Sequence, residues 1–268
     1  MITRDAENRP KSSSIKGRAI RFLSFNMQVG IGASKPHHYL THSWKHLIPH
    51  ANHFHNLDQI ASMINAYDIV GLQETDAGSF RSSFVSQPRY LAEKAGFPYY
   101  HVQTNRNLGH IARHSNSLLS QFDASEITGH RLPGRLPGRG ALAARFGEGK
   151  DALLVLLLHL ALGKKARMRQ LGFIGDLVSE FQHIVVMGDL NCQPWSDEIK
   201  ALMTRTGLLI PTGGISTFPS WSPKRDIDHF LVSPSLKINY VKALPIGFSD
   251  HLPIAMEVLV PESVQLRH

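Results

Sequence analysis

The apolar run at residues 151–159, DALLVLLLH, constrains the fold of this 268-residue chain more than any other segment. It shows no alternation of polar and apolar side chains, so a strand built from it must be covered on both faces. The whole apolar stretch, residues 152–162, is much shorter than the ~20 residues that a membrane helix needs, and it contains His159. The sequence therefore predicts a buried strand in a layered domain and no transmembrane segment.

Segments with a strand period alternate with segments with a helix period. Residues 19–27 alternate as a strand, residues 57–64 place apolar side chains on one helical face, and residues 68–73 form another buried strand. A helix at 164–181 and a buried strand at 183–187 repeat this order. Further strands are predicted at 99–103, 117–121, 141–146, 229–232, 238–245 and 254–260, and further helices at 88–95 and 197–206. This pattern is typical of an α/β domain, and its strand-rich parts favour two sheets with helices outside them.

The chain is predicted to form a single domain over residues 19–261. Residues 1–18 are rich in Ser, Lys and Arg without an apolar period, which predicts a flexible N-terminal leader. Residues 262–268 are predicted to be a C-terminal tail. No break in composition divides the rest of the sequence, and no internal repeat of 20–50 residues is present.

The composition indicates a globular protein with a basic surface. Hydrophobic residues make up 42% of the chain and charged residues 19%, which excludes a disordered chain. The net charge of +8 favours nucleic acid, an acidic membrane face or phosphorylated small molecules as partners, although a surface that only maintains solubility is an equal alternative. The single cysteine, Cys192, permits no intrachain disulfide and is interpreted as a packing residue. Because the N-terminus also lacks the apolar core of a signal peptide, we expect a cytoplasmic protein.

Short polar motifs follow or border the apolar runs, and ends of buried strands are where active sites are usually built. The motifs are Phe25-Asn26, Gln73-Glu74, Ser115-Asn116, His159, Gly188-Asp189-Leu190-Asn191, Asp226-Ile227-Asp228-His229 and Ser249-Asp250-His251. Hydrolysis of a phosphodiester requires a cation that neutralises the phosphate, a base that activates water and donors for the developing charge. The motifs together offer these groups, so they predict a catalytic site.

The residue types suggest a chemical role for each of these positions. Glu74 ends a strand, where a carboxylate can hold Mg²⁺ or Mn²⁺, and Asn26 supplies an amide to the same region. Asp189 follows a buried strand next to Gly188, which lets the backbone pass close to a ligand. Asn191 can position water or a phosphate oxygen.

Two histidines complete this set. An Asp–His pair formed by Asp228 and His251 on neighbouring strands would fix the imidazole tautomer and favour its charged form. His159 stands in an apolar run and can donate a hydrogen bond to a phosphoryl oxygen. Taken singly, an Asp or Asn after a strand is usually a turn or cap, and a buried His is usually a satisfied core residue. The catalytic interpretation is favoured because several such residues occur together.

At these residues the chain resembles the endonuclease/exonuclease/phosphatase superfamily, the deoxyribonuclease I-like phosphoesterases. The resemblance covers about residues 19–261 and rests on LSFN (23–26), IVGLQE (69–74), NSLLS (116–120), LLLHLALG (156–163), VVMGDLN (185–191), RDIDHFLVS (225–233) and SDHLPIAMEV (249–258). It implies a four-layer α/β sandwich, in which two mixed β-sheets are flanked by helices, and a site for Mg²⁺ or Mn²⁺.

The resemblance also implies a role for each matching residue. Glu74 would be the main metal ligand with Asn26 and Asp250 nearby, Asp189 would orient or deprotonate the water, and Asn191 would bind phosphate. Asp228 would orient His251, which would contact the scissile phosphate together with His159. The predicted site residues are therefore the catalytic His159, Asp189, Asn191, Asp228 and His251, the metal ligands Glu74, Asn26 and Asp250, and the phosphate-binding Asn116 and Arg167.

Some positions depart from the family pattern. Ser115 stands where the family often has Gly, and Gln121 stands where it often has Arg. Gln28 and His159 occupy positions where exonuclease III-like repair enzymes carry an acidic ligand and a Tyr-containing loop. The chain therefore resembles the His-bearing branch, which includes deoxyribonuclease I, sphingomyelinases and inositol phosphatases.

Three further segments have alternative interpretations. Seven histidines between residues 37 and 55 lack the interleaved carboxylates of a built zinc site, so a variable loop near the substrate entrance is favoured over a metal site. The loop at 131–140, RLPGRLPGRG, either reaches a polyanion or is a long exposed turn. Arg167, Arg169 and Gln170 open a helix and either hold phosphate or form a solvated face.

The sequence thus predicts a divalent-metal-dependent phosphoesterase that hydrolyses phosphodiester bonds in nucleic acid or in a phospholipid headgroup. The alternatives are a phosphomonoesterase acting on a phosphorylated small molecule, a catalytically weak polyanion-binding module with the same fold, and a protein whose His-rich loop buffers metal. The oligomeric state is left open.

Overall fold

The structure, a computed structural model, describes residues 17–28, 53–82, 84–107, 113–134 and 138–268. Its helices are α1 (His53–Ile64), α2 (Gln87–Ala95), α3 (Lys164–Val178) and α4 (Asp197–Thr206). Its strands are β1 (Gly17–Asn26), β2 (Ile69–Asp76), β3 (Tyr99–Asn107), β4 (Arg113–Ser120), β5 (Glu126–Arg131), β6 (Gly140–Phe146), β7 (Leu153–His159), β8 (His183–Asp189), β9 (Asp228–Val232), β10 (Lys237–Ala243) and β11 (Ile254–Pro261).

The strands form two mixed sheets. The first sheet has the order β10-β11-β1-β2-β4-β3, and the second has the order β5-β6-β7-β8-β9. Each sheet contains one parallel pair, β1 with β2 and β7 with β8, and its other neighbours are antiparallel. The predicted four-layer α/β sandwich is confirmed.

Three apolar cores hold the four layers together. The central core lies between the sheets, where Phe22 of β1 and Met256 of β11 join Val155 of β7 and Phe230 of β9. The helices α1 and α2 cover the outer face of the first sheet. The helices α3 and α4 cover the outer face of the second sheet.

The apolar run that predicted a doubly covered strand forms β7. Alternate residues from Leu153 to Leu157 belong to the central core, whereas those from Leu154 to Leu158 pack under α3 and α4. Burial of one such side chain contributes about 1.5–3 kcal/mol, so both faces of β7 stabilise the fold. The absence of polar alternation in this strand therefore follows from its position between two cores.

The same two-residue period places polar groups at the ends of the inner strand faces. His159 continues the series of Val155 and Leu157, and Asp189 continues the corresponding series of β8. Asn26 lies at the end of β1, and Asp228 opens β9 directly opposite Asp189. The strands thus deliver these polar side chains to one end of the space between the sheets.

Some predicted boundaries differ from the structure. The strand β5 was not predicted, because its sequence EITGHR has one large apolar side chain and it forms a sheet edge. The domain begins inside the predicted leader, since Gly17 already pairs with Pro261. The predicted tail packs on the domain, because Val264 is buried in the central core. Residues 1–16 and most of the His-rich segment lie outside the described residues, and α1 begins earlier than predicted, at His53.

No helix within the described part of the chain is long and apolar enough to cross a membrane.

Candidate active site

Asp189 lies at the centre of the candidate active site and is almost fully buried. Its Oδ2 accepts a hydrogen bond from Nδ2 of Asn26 at 3.1 Å, and its Oδ1 accepts one from the backbone N–H of Asn191 at 2.9 Å. Gly188, which precedes it, has φ +140°, and a Cβ there would lie 2.0 Å from the carbonyl oxygen of Leu158. Only glycine therefore allows β8 to pass so close to β7 at this point.

Asn191 is fixed by its own side chain and by an unusual backbone conformation. Its φ is +53°, a left-handed conformation that is uncommon for a residue other than glycine. Its Nδ2 donates to the carbonyl oxygen of Leu160 at 3.0 Å, which ties the loop after β8 to the end of β7. The turn thereby aims the Asn191 N–H at Asp189.

Glu74 also has left-handed backbone geometry, with φ +55°. The register between β2 and β4 shifts between Leu72 and Thr75, so Glu74 lies at an irregularity of the strand. Its Oε1 is 3.7 Å from Nε2 of His159, and its side chain is 29% exposed. Such strained conformations cost about 1–3 kcal/mol and cluster at functional sites. Within the described residues, no hydrogen-bond donor is placed on the Glu74 carboxylate.

His159 lies between two carboxylates and a guanidinium group. Its Nε2 is 3.5 Å from Oδ2 of Asp189, and the guanidinium of Arg139 donates a short hydrogen bond to the same nitrogen. Burial lowers the pKa of His159 well below its ordinary value, and the charges of Arg139 and His251 lower it further. His159 is therefore neutral at physiological pH.

A second histidine is held in the opposite state by Asp228. The Nδ1–H of His251 donates to Oδ2 of Asp228 at 2.8 Å, and Thr217 donates to the same oxygen at 2.5 Å. The ring of Phe218 packs against His251 with a centroid distance of 5.0 Å. Burial opposes the charged form, but the nearby carboxylates, first that of Asp228, outweigh it and raise the pKa of His251 to about 10.

The carboxyl groups of Asp189 and Asp250 respond to the same buried surroundings. Burial raises the pKa of Asp189 to about 7, although the charge of His251 favours its ionised form. Burial also raises the pKa of Asp250, whose Oδ1 accepts a hydrogen bond from Ser249 at 3.1 Å. The site therefore combines an acid with a raised pKa, a charged histidine and a neutral histidine.

A cavity of about 170 Å³ has His159, the neighbour of Asp189, in its wall. Its wall includes Glu74, His159, Arg139 and Asn116. Nδ2 of Asn116 donates to the carbonyl oxygen of Gly140 at 3.1 Å, whereas its buried Oδ1 has no hydrogen-bond partner among the described residues. An acceptor of this kind is available to a ligand or its water.

Two sets of side chains in the described part of the chain are candidates for holding a cation. One ligand atom each from Asp189, Asp228 and His251 lie within 4.8 Å of one another. In this set, however, Asp228 and His251 are already joined by a hydrogen bond, through which the carboxylate fixes the orientation of the imidazole. The other set consists of the predicted ligands Glu74 and Asn26, which offer oxygen atoms of the kind that Mg²⁺ prefers; the amide oxygen of Asn26 also accepts a hydrogen bond from the backbone N–H of Gln28 at 3.2 Å.

The structure brings most of the predicted site residues together. The contacts given above link Asn26, His159 and Asn191 to Asp189. They also link Glu74 to His159, and His251 to both Asp189 and Asp228. Asn116 lies in the cavity wall. Asp250 adjoins His251 in the chain, and its carboxylate accepts a hydrogen bond from the hydroxyl of Ser249.

Arg167 is placed differently. Its guanidinium contacts the buried carboxylate of Glu198 in α4, with Nε to Oε1 at 2.8 Å, and donates to the carbonyl oxygen of Leu162. This pair ties α3 to α4 on the outer face of the second sheet. Arg167 is not among the residues that line the cavity, so its predicted contact with phosphate has no support in this geometry.

Two residues of the site were not singled out from the sequence. Arg139 comes from the loop RLPGRLPGRG, whose composition predicts either a polyanion contact or an exposed turn and does not distinguish one arginine from the others. Thr217 supplies the hydroxyl that bonds to Asp228, and no motif around it signals that role.

Comparison with known proteins places the chain in a family. The sequence profile of the endonuclease/exonuclease/phosphatase family matches residues 23–251, which is most of the chain. The protein belongs to this family. Members of the endonuclease/exonuclease/phosphatase family generally hydrolyse phosphoester bonds. The sequence matches no protein with a curated function.

Solved structures share the fold at low sequence identity. An endonuclease/exonuclease/phosphatase from Beutenbergia cavernae is 20% identical with a TM-score of 0.71, over 92% of this chain and 72% of that one. A family protein from Bacteroides thetaiotaomicron is 19% identical with a TM-score of 0.71, over 95% and 100% of the two chains. A mannosyl-6-phosphatase from the same species is 20% identical with a TM-score of 0.65, over 90% and 99%.

Proposed function

We propose that the protein is a divalent-metal-dependent phosphoesterase that hydrolyses phosphodiester bonds by the attack of water. The observation that carries this proposal is that Asp189, with its raised pKa, and the charged His251 meet the Glu74 carboxylate, which accepts no hydrogen bond from the described residues, at one end of the sandwich. Phosphoester hydrolysis requires a base, a donor for developing negative charge and a place for a cation. Each of these is supplied by a different side chain.

Glu74 would hold the cation, with Asn26 and Asp250 nearby. The donor set fits Mg²⁺ or Mn²⁺, because the Glu74 carboxylate accepts no hydrogen bond from the described residues and the buried Asn116 Oδ1 is also free of such a partner. When bound, the cation would neutralise charge on the phosphate and polarise its P–O bond. The Asp189–Asp228–His251 set is better suited to handling protons.

Asp189 would accept the proton of the attacking water. The hydrogen bonds from Asn26 and from the Asn191 N–H hold its carboxylate in one orientation. Its pKa of about 7, raised by burial, matches a base that works near neutral pH. The Asn191 amide would assist by orienting the phosphate.

His251 would donate a hydrogen bond to a phosphoryl oxygen as negative charge develops there. Asp228 holds the Nδ1–H of His251 and leaves Nε2–H directed toward the side of Asp189, 3.9 Å away. Arg139 would supply guanidinium N–H donors from the cavity wall, and its contact with His159 fixes both side chains. Donors that are already oriented stabilise developing charge more effectively than water does.

The first experiment separates the reaction classes. The wild-type protein and Asp189→Asn are assayed on bis-p-nitrophenyl phosphate and on p-nitrophenyl phosphate, each with Mg²⁺, Mn²⁺ or EDTA. Plasmid DNA and a phospholipid are assayed in parallel. Metal-dependent hydrolysis of the diester that the variant loses supports the proposal.

Other outcomes would favour a different function. Preference for p-nitrophenyl phosphate would identify a phosphomonoesterase, the activity named for the Bacteroides mannosyl-6-phosphatase. No hydrolysis of any substrate by the folded protein would favour a polyanion-binding module. A cytoplasmic location remains a prediction from the sequence.

A further inference from the structure

A second cavity adjoins the catalytic one. It measures about 840 Å³, a size typical of pockets for small-molecule ligands. Arg106 and Arg139 belong to the walls of both cavities. A ligand whose phosphate occupies the catalytic cavity can therefore extend into the second cavity, which we call the lateral groove.

The lateral groove is basic. Its described wall contains no acidic residue, and its cationic side chains are Arg106, Arg139, Lys164, Lys165 and Arg169. Lys164 is paired with Asp197 at 2.5 Å, and Arg139 is engaged with His159. Lys165 and Arg169 are exposed, and neither forms an ion pair with any of the described residues.

This arrangement is unfavourable without an anion. Lys165 and Arg169 are four residues apart on α3, so they share one helical face, where like charges destabilise a helix by about 0.2–0.5 kcal/mol. They also lie in its first two turns, where the helix dipole favours negative charge, and the first turn contains no acidic residue. An anion in the groove would relieve both effects.

The groove is not uniformly polar. Ala161, Leu162 and Ala166 belong to its wall, and the side chain of Leu162 is 74% exposed. Such a surface suits an uncharged segment of a ligand that lies between two charged ends. The wall thus combines two arginines shared with the catalytic cavity, an apolar surface and a pair of cations without an ion-pair partner among the described residues.

We infer that the lateral groove binds a second phosphate group of the substrate, joined to the reactive phosphate by an uncharged linker such as a sugar. Lys165 and Arg169 contact this second phosphate. The inference rests on the proposed phosphoesterase function and narrows its substrate to phosphoesters that carry two phosphates. The same chemistry is present in a nucleic-acid strand and in a small bisphosphate.

The test uses two substrates that differ by one phosphate: thymidine 5′-(p-nitrophenyl phosphate) with and without a 3′-phosphate. Release of p-nitrophenol gives kcat/KM for each. We expect the 3′-phosphate to raise kcat/KM by about tenfold or more in the wild-type protein, and this ratio to fall toward one in Lys165→Glu/Arg169→Glu. Equal kcat/KM values in the wild type, with hydrolysis of both substrates, would overturn the inference and leave the proposed function standing.

A matched control changes the same charge elsewhere. The control variant is Lys150→Glu/Lys237→Glu, in which both exposed lysines lie away from the site. Lys150 precedes the start of β7, and His159 is at the other end of that strand. Lys237 is the first residue of β10 and lies opposite Leu259. This variant should keep the ratio of the wild type. If the ratio of the two kcat/KM values falls toward one in both double variants, net charge alone produces the preference for the 3′-phosphate. That result would overturn the inference.

Binding without turnover separates the inference from the proposed function. Calorimetry in EDTA compares thymidine 3′,5′-bisphosphate with thymidine 5′-monophosphate. Tighter binding of the bisphosphate that Lys165→Glu/Arg169→Glu abolishes supports the groove even if no substrate is hydrolysed. Equal affinities would overturn it. Tighter binding of a ten-residue oligothymidylate than of the bisphosphate would assign the second phosphate to a nucleic-acid strand, and equal or weaker binding would assign it to a small molecule.

Discussion

The Nδ1 atom of His251 lies 2.8 Å from Oδ2 of Asp228, although the two residues are 23 positions apart in the chain. Asp228 is also directly opposite Asp189 in the antiparallel pairing of β8 and β9. Two carboxylates facing each other on a sheet repel, and the repulsion grows with burial. The charged His251, whose Nε2 is 3.9 Å from Asp189, offsets this repulsion and joins the two acids into one unit.

Asp189→Asn is expected to lower kcat by on the order of 10³ or more while the fold is retained, because the amide keeps the size of the side chain but cannot accept a proton from water. Steady-state kinetics on the best substrate, together with thermal unfolding, measures the two effects. Asp176→Asn is a control, since Asp176 is an exposed residue of α3 that pairs with Arg205 of α4. Wild-type turnover in Asp189→Asn would contradict its role as the base.

Asp228→Asn is expected to shift the alkaline limb of the pH–rate profile to lower pH. The pKa of His251 is about 10 because carboxylates, first that of Asp228, outweigh burial. Loss of one adjacent opposite charge lowers a histidine pKa by about 1–3 units, so the protonated form that donates to phosphate would disappear at lower pH. The measurement is kcat between pH 6 and 11, with ring carbon NMR of His251 in EDTA as an independent titration. An unchanged titration of His251 would refute the pairing.

Glu74→Gln is expected to raise the Mg²⁺ concentration needed for half-maximal activity by about tenfold or more, because an amide oxygen replaces the charged ligand atom. Mn²⁺ binding followed by electron paramagnetic resonance should weaken in parallel, which separates metal affinity from catalysis. Glu93→Gln is the matched control, since Glu93 is exposed and pairs with Arg89 on α2. If the metal titration of Glu74→Gln equals that of the wild type, Glu74 is a structural residue.

The part of the site that lies on strands could be predicted from the sequence. His159 and Asp189 each end an uninterrupted apolar run, and the period of two fixes which face such a residue occupies. Arg139 could not be assigned in this way, because it follows a Pro-Gly-rich segment and not an apolar run, so no period indicates that its side chain reaches His159 at the end of β7. The edge strand β5 was missed for a related reason: an exposed edge has no buried face to impose a pattern.

Tertiary structure also decided the role of Arg167. Arg167 lies near the start of α3, three residues before Gln170. From the sequence, a phosphate contact and a solvated helix face are equally compatible with this position. Neither the helix period nor the charge pattern indicates that Glu198, 31 residues later, lies beside it. A buried carboxylate in a neighbouring helix is a stronger local partner than a distant ligand, because leaving either charge unpaired would be costly.

Arg139→Ala is expected to lower kcat/KM by about 10², with Arg139→Lys recovering part of the loss, because a guanidinium offers several oriented donors where an ammonium offers a point charge. Arg139 also lowers the pKa of His159, so the alanine variant should raise that pKa. Kinetics and NMR titration of His159 in EDTA test both effects. Arg131→Ala, an exposed change at the other end of the same loop, is the control. Wild-type kinetics in Arg139→Ala would remove Arg139 from the site.

His229 makes the stability of the fold sensitive to acid. Its ring lies in the core beneath the site, with Nε2–H donating to the carbonyl oxygen of Cys192 at 2.8 Å and Nδ1 3.1 Å from the hydroxyl of Thr212. Burial lowers the pKa of His229 below the ordinary 6.5, although the hydrogen bond to the Cys192 carbonyl favours the charged form. The unfolded chain therefore binds the proton first, so the free energy of unfolding falls as pH drops below about 6.5, by at most about 1.4 kcal/mol per pH unit for this residue.

His229→Gln is expected to reduce the slope of the free energy of unfolding between pH 7 and pH 5, as measured by urea denaturation. The amide side chain fills part of the ring's volume and does not titrate, so it lowers stability at neutral pH and removes one source of acid sensitivity. Thr212→Val serves as the comparison, because it removes one hydrogen-bond partner and leaves His229 in place. It should lower stability by about 1 kcal/mol at both pH values without changing the slope. A His229→Gln slope equal to that of the wild type would contradict the lowered pKa, because it would show that the ring binds protons equally in the folded and unfolded protein.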